Sequence, residues 1–127
     1  MYDSVDFQQR SSEGRWWALN PRRVSIDIVA DDAAWENAAE AARRAGTTIG
    51  TWVCDKIEQT YIDYATAGQL PVLRPEDSPP LEHKHIRADF AVRSMACEMA
   101  QAAGASVSRM IRAIIADALL QGESEND

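Results

Sequence analysis

The stretch Ile86-Arg87-Ala88-Asp89, with Ala103-Gly104-Ala105-Ser106-Val107-Ser108-Arg109-Met110-Ile111 after it, is written a second time in this chain. It stands 58 positions earlier as Ile28-Val29-Ala30-Asp31 and Ala45-Gly46-Thr47-Thr48-Ile49-Gly50-Thr51-Trp52-Val53. Aligned without a gap, residues 24–62 and 82–120 are identical at ten of 39 positions, and five of the ten are Ala, so in an Ala-rich chain the count alone is modest evidence. The similar pairs carry more weight. Thr48/Ser106, Ile49/Val107, Val53/Ile111 and Tyr61/Leu119 keep their chemical type where a helix start and an apolar helix face require it. The chain reads as two copies of one small unit.

Each copy reads strand, helix, turn, helix. Val24, Ile26 and Ile28 alternate with Ser25, Asp27 and Val29, the period of a short half-buried strand. Asp31 or Asp32 offers an N-cap, and Ala34, Ala38, Ala41 and Ala42 follow at helical spacing until Gly46, which can take the left-handed conformation that ends a helix. Thr48 caps the next helix, whose positions Ile49, Val53, Ile57 and Tyr61 make an apolar face widened by Trp52, Thr60 and Tyr64. In copy two Ile86 and Ala88 mark the strand, Asp89 the cap, Val92, Ala96 and Met99 the first helix, and Gly104 its stop. Ser106 opens a helix with Val107, Ile111, Ile115 and Leu119 on one face.

With those residues in place, the chain resembles the ribbon-helix-helix DNA-binding proteins of the Arc and MetJ repressor type. The resemblance rests on Ile86 to Asp89 and on the Gly104-x-Ser106-x-Ser108 helix opening. It is looser in copy one, where Gly50 stands in the place of Ser108, and it covers about residues 22–64 and 80–121. It implies a mainly α fold, a tandem ribbon-helix-helix pseudo-dimer whose two strands pair as an antiparallel ribbon over a four-helix core. Physics favours such pairing, because about 40 residues bury too little surface to fold alone and an isolated strand leaves both edges unpaired. Val24–Ile28 is therefore expected to pair antiparallel with about Lys84–Ala88.

The expected organisation is an N-terminal arm (1–21), copy one (22–66), a linker (67–81), copy two (82–122) and an acidic tail (123–127), with both copies in one globular domain. Residues 68–80 hold four of the chain's five prolines, and 13 residues reach about 43 Å when extended, enough to span a small domain. The composition, 46% hydrophobic and 26% charged, is that of an ordinary globular domain. With no run of membrane-spanning length and no signal-peptide core at the N-terminus, a cytoplasmic protein without membrane association is expected. Cys54 and Cys97 lack metal-type spacing, so reduced thiols are expected.

The formal net charge of −7 opposes a nucleic-acid reading, since phosphate neutralisation drives such binding. The acid is not spread evenly: residues 24–66 carry eight acidic against three basic residues, whereas residues 82–122 carry four against five. A basic face beside copy two is compatible with that distribution.

The resemblance implies where DNA would be touched. Outward strand residues enter the major groove, which makes Arg23, Ser25 and Asp27 (with Val29 beside them) and His83, His85 and Arg87 the base-contacting set. The helix openings Thr48-Ile49-Gly50 and Ser106-Val107-Ser108, with Arg109, are the phosphate-contacting set, because free N–H groups at a helix start bind anions. The plainer readings are solvent-facing strand residues and simple helix caps. His83-x-His85 lacks a visible third ligand, so no metal and no cofactor are expected. No phosphate loop, nucleophile elbow or paired-carboxylate arrangement stands out, and an enzyme is not expected.

Two functional expectations follow. One is sequence-specific binding of double-stranded DNA, as a transcriptional repressor or as an accessory factor at a plasmid transfer or partition site, by a monomeric pseudo-dimer that pairs with another on DNA. The other is a protein-interaction module, antitoxin-like or inhibitory, that keeps the fold without DNA and uses Trp16, Trp17 or acidic copy one. Trp16-Trp17 reads equally as a clasp over the core. The sign of charge over the ribbon discriminates: Arg22, Arg23, Lys84 and Arg87 together favour DNA, Asp27, Glu82 and the copy-one acids a protein partner.

Overall fold

The computed structural model describes residues 23–73 and 81–126, with side chains to 122. The arm with Trp16 and Trp17, Arg22 and the middle of the connector lie outside the described residues. The described chain is mainly helical: β1 (Arg23–Ala30), α1 (Asp32–Arg44), α2 (Ile49–Ala67), β2 (Glu82–Asp89), α3 (Phe90–Ala103) and α4 (Val107–Asn126). β1 and β2 form a two-stranded antiparallel sheet in which Val24 lies opposite Ala88 and Ile28 opposite Lys84, the pairing expected from the sequence. Asp27 lies opposite His85, the residue 58 positions on, so the ladder is centred on one pair of repeat-equivalent residues. This layout is compatible with a ribbon-helix-helix fold.

Local chemistry recurs at the same spacing. Thr47 N donates to Ala42 O and Ala105 N to Ala100 O, each at 2.9 Å, closing α1 and α3 over the positive-φ residues Gly46 and Gly104 (φ 76° and 68°). Thr48 Oγ1 accepts from Thr51 N (3.3 Å) and Ser106 Oγ from Arg109 N (3.1 Å), so both second helices carry the expected caps. The first helices differ. Asp31, rather than Asp32, caps α1 by accepting from Ala34 N at 2.8 Å, whereas Asp89 occupies the cap position of α3 without a side-chain cap bond. α2 ends at Gly68, left-handed at φ 70°, and α4 continues as helix through residues 123–126 of the acidic tail.

The apolar stripes meet in one core. Ile28/Ile86, Ala30/Ala88, Ala38/Ala96, Ala42/Ala100, Trp52/Met110, Val53/Ile111 and Ile57/Ile115 are repeat-equivalent pairs, and every member is buried. The second helices cross over: α2 packs on α3 and β2 as well as on α1, and α4 packs on α1 and β1 as well as on α3. Each repeat therefore completes the other's core. Trp35 and Tyr61 pack at the margin, half-buried, with the Tyr61 hydroxyl donating to Glu98 Oε1 at 3.1 Å. That bond raises the Tyr61 pKa above its ordinary value.

Candidate nucleic-acid interface

Strand alternation sends Ile26, Ile28, Ala30, Ile86 and Ala88 into the core and leaves Arg23, Ser25, Asp27, His83, His85 and Arg87 exposed, with Val29 half-buried. The expected base-contacting residues thus share the outer face of the ribbon. The register sets Ser25 opposite Arg87, Asp27 opposite His85 and Val29 opposite His83. At the centre, His85 Nδ1 donates to Asp27 Oδ1 across 2.6 Å. The carboxylate that would repel phosphate is held by its neighbour, and both groups are engaged with each other rather than pointing outward alone.

Lys84 does not belong to this face. It has inward parity, its side chain is 20% exposed, and its Nζ donates to Asp32 Oδ1 at 2.7 Å at the start of α1. The hydrogen bond with Asp32 raises its pKa. The charge over the ribbon is consequently mixed: Arg23 and Arg87 face outward, Asp27 is taken up by His85, and Asp89 lies opposite Arg23. Glu82 is exposed at the other end, opposite Ala30.

The capped helices begin against the two outer edges of the ribbon. Ser108 Oγ accepts from Val29 N at 3.1 Å and donates to Asp27 O at 3.4 Å, and Arg112 Nη1 donates to Val29 O at 2.7 Å. Ser108, expected on phosphate, is thus a fastener between α4 and the β1 edge, while Thr48 and Ser106 remain exposed at the two helix starts. On the opposite edge α2 starts against β2, where a Cβ on Gly50 would lie 3.8 Å from Ile86 Cβ and 4.0 Å from Arg87 O. Arg87 O accepts from Arg23 Nη2 at 3.3 Å, the counterpart of the Arg112 bond to Val29 O. Ile49, Val107 and Arg109 are half-buried at these openings. Sequence reasoning missed Arg112, although it stands three residues beyond Arg109 on the same helical face. Its equivalent is Cys54, whose thiol is pushed to higher pKa by burial and only partly offset by Arg23.

Gly50→Ser should restore the fastener on the β2 edge, since 3.8 Å is ordinary contact and Ser is the better helix residue. With a hydrogen bond added, the gain should be about 1 kcal/mol in denaturant unfolding. An unchanged or lower midpoint would show that the two edges are not alike.

Among the described residues no three His, Cys, Asp or Glu side chains are grouped to hold a metal ion, and no helix is long and apolar enough to cross a membrane. Compared with known proteins, the chain matches no family model, no curated protein and no solved structure.

Proposed function

We propose that the chain is a sequence-specific DNA-binding protein that carries two ribbon-helix-helix units in one polypeptide and lays its ribbon in the major groove of double-stranded DNA. One observation carries the reading: a two-stranded ribbon with its outer face exposed, flanked on its two edges by the capped starts of α2 and α4. A major groove admits such a ribbon, and the free N–H groups of helix N-termini to either side suit flanking phosphates. Arg87, exposed at the ribbon's face, supplies a fork that matches guanine. Repression or an accessory role at a plasmid transfer or partition site is the setting the resemblance suggests.

The acidic helices shape the energetics. The exposed Glu36, Glu40, Asp55, Glu58 and Asp63 of α1 and α2 oppose indiscriminate attraction to DNA and leave discrimination to the ribbon. Two to four phosphate contacts give a log-affinity against log-salt slope of about −2 to −4. Arg109→Ala should weaken binding to all sequences alike and flatten that slope by about one. Affinity for a mixed-sequence duplex at several salt concentrations, for wild type and Arg109→Ala, tests this. No binding at low salt would remove the DNA reading and leave the protein-interaction module.

A further inference from the structure

We infer that the ribbon reads a non-palindromic DNA site, with guanine recognised in one half by Arg87 and an apolar contact from Val29 in the other. The inference rests on the DNA reading proposed above and adds to it the class of sequence bound. A ribbon built from two identical strands shows the same side chains on both sides of its centre and so prefers an inverted repeat. Here the centre lies at Asp27 and His85, and at positions 23, 25, 27 and 29 the outward residue differs from its equivalent 58 positions on. Arg87 corresponds to Val29, His83 to Ser25 and Leu81 to Arg23.

Those differences are differences of chemistry. A guanidinium can take guanine O6 and N7 together, whereas a valine in the equivalent place offers only apolar contact to a thymine methyl. The Arg87 side chain makes no hydrogen bond or ion pair among the described residues. The central pair, engaged with itself at 2.6 Å, separates the two halves. Ser25, directly opposite Arg87, and Arg23 stand at the same end, so one half of the ribbon carries both exposed arginines.

The flanks are unequal in the opposite sense. Each flank holds one arginine on a strand carbonyl, Arg112 on Val29 O and Arg23 on Arg87 O, but beside the Val29 end α4 opens with Arg109 where α2, beside the Arg87 end, has Thr51. Arg109 therefore biases cationic phosphate contact to the Val29 end, away from the Arg87 fork. The protein has one orientation on its site, which a symmetric dimer lacks.

Selection of duplexes from a random library by the full chain tests this, run on wild type, Arg87→Ala and Val29→Arg, with thermal melts to show that each variant is folded. The wild type should enrich an asymmetric motif with guanine in one half. Arg87→Ala should lose that guanine preference by about 10- to 100-fold and leave the other half unchanged. Val29→Arg, which puts arginine at both equivalent places, should shift the motif toward an inverted repeat. An inverted repeat selected by wild type, or an asymmetric motif indifferent to Arg87→Ala, would overturn the inference while DNA binding stands. No enrichment by any folded variant would overturn the DNA reading itself and the inference with it.

Discussion

Ile26→Asp should cost at least about 4 kcal/mol and leave little folded protein at neutral pH, because it places an unpaired carboxylate on the inner face of the ribbon. Ile26 is 3% exposed and lies opposite Ile86, itself 4% exposed, with helices beneath both. The buried acid would have a folded-state pKa above its unfolded value, so the charge penalty should be full above the folded pKa, shrink as pH falls toward the unfolded pKa and be absent below it. One residue away, Ser25→Asp faces solvent opposite Arg87 and should change stability by less than about 0.5 kcal/mol. Denaturant midpoints of the two variants at pH 7 and pH 4.5 check this. Equal losses would mean that the ribbon does not have one wet and one dry face.

The second large effect is expected where the two second helices cross. Val53 and Ile111 are repeat equivalents, both 0% exposed, on helices that pack on each other. Truncating either to Ala removes methyl groups from a closed site and leaves a cavity, at a cost of about 2–4 kcal/mol. Because α2 and α4 each also pack on the other repeat, both variants should unfold in one cooperative step with reduced midpoint, with no separate transition for either half. A loss below about 0.5 kcal/mol, or two resolved transitions, would contradict a shared core.

The frame was legible in the sequence because it is set by short-range rules. Alternation placed Ile26 and Ile28 inward and Arg23, Ser25 and Asp27 outward, and Thr48, Ser106, Gly46 and Gly104 marked helix limits through backbone chemistry that depends on a few neighbours. The 58-residue register even gave the strand pairing, since equivalent strands meeting antiparallel must cross at equivalent residues. The details of the site were not legible, because they depend on contacts distant in sequence. Ser108 could not be assigned to the Val29 backbone before α4 was known to lie along β1, a contact spanning 79 positions. The same holds for the His85 bond to Asp27 and for Arg112 on Val29 O. Lys84 is a partial exception: its even position in the strand already implied inward parity, and its cationic charge hid this until Asp32 was seen to receive it.

On the proposed DNA reading, mixed charge over the ribbon would separate two jobs that a basic protein merges. The acidic helices would weaken attraction to any DNA and leave discrimination to groove contacts at the ribbon. The most direct test of this central claim is residue-level mapping of the complex. The ¹⁵N-labelled chain is titrated at low salt with a duplex selected from a random library. Amide shifts should concentrate at residues 23–29 and 83–89 and at the helix openings 48–51 and 106–109, with the exposed faces of α1 and α3 unmoved. Shifts centred on those helix faces instead, or a ribbon unperturbed at saturating duplex, would contradict it.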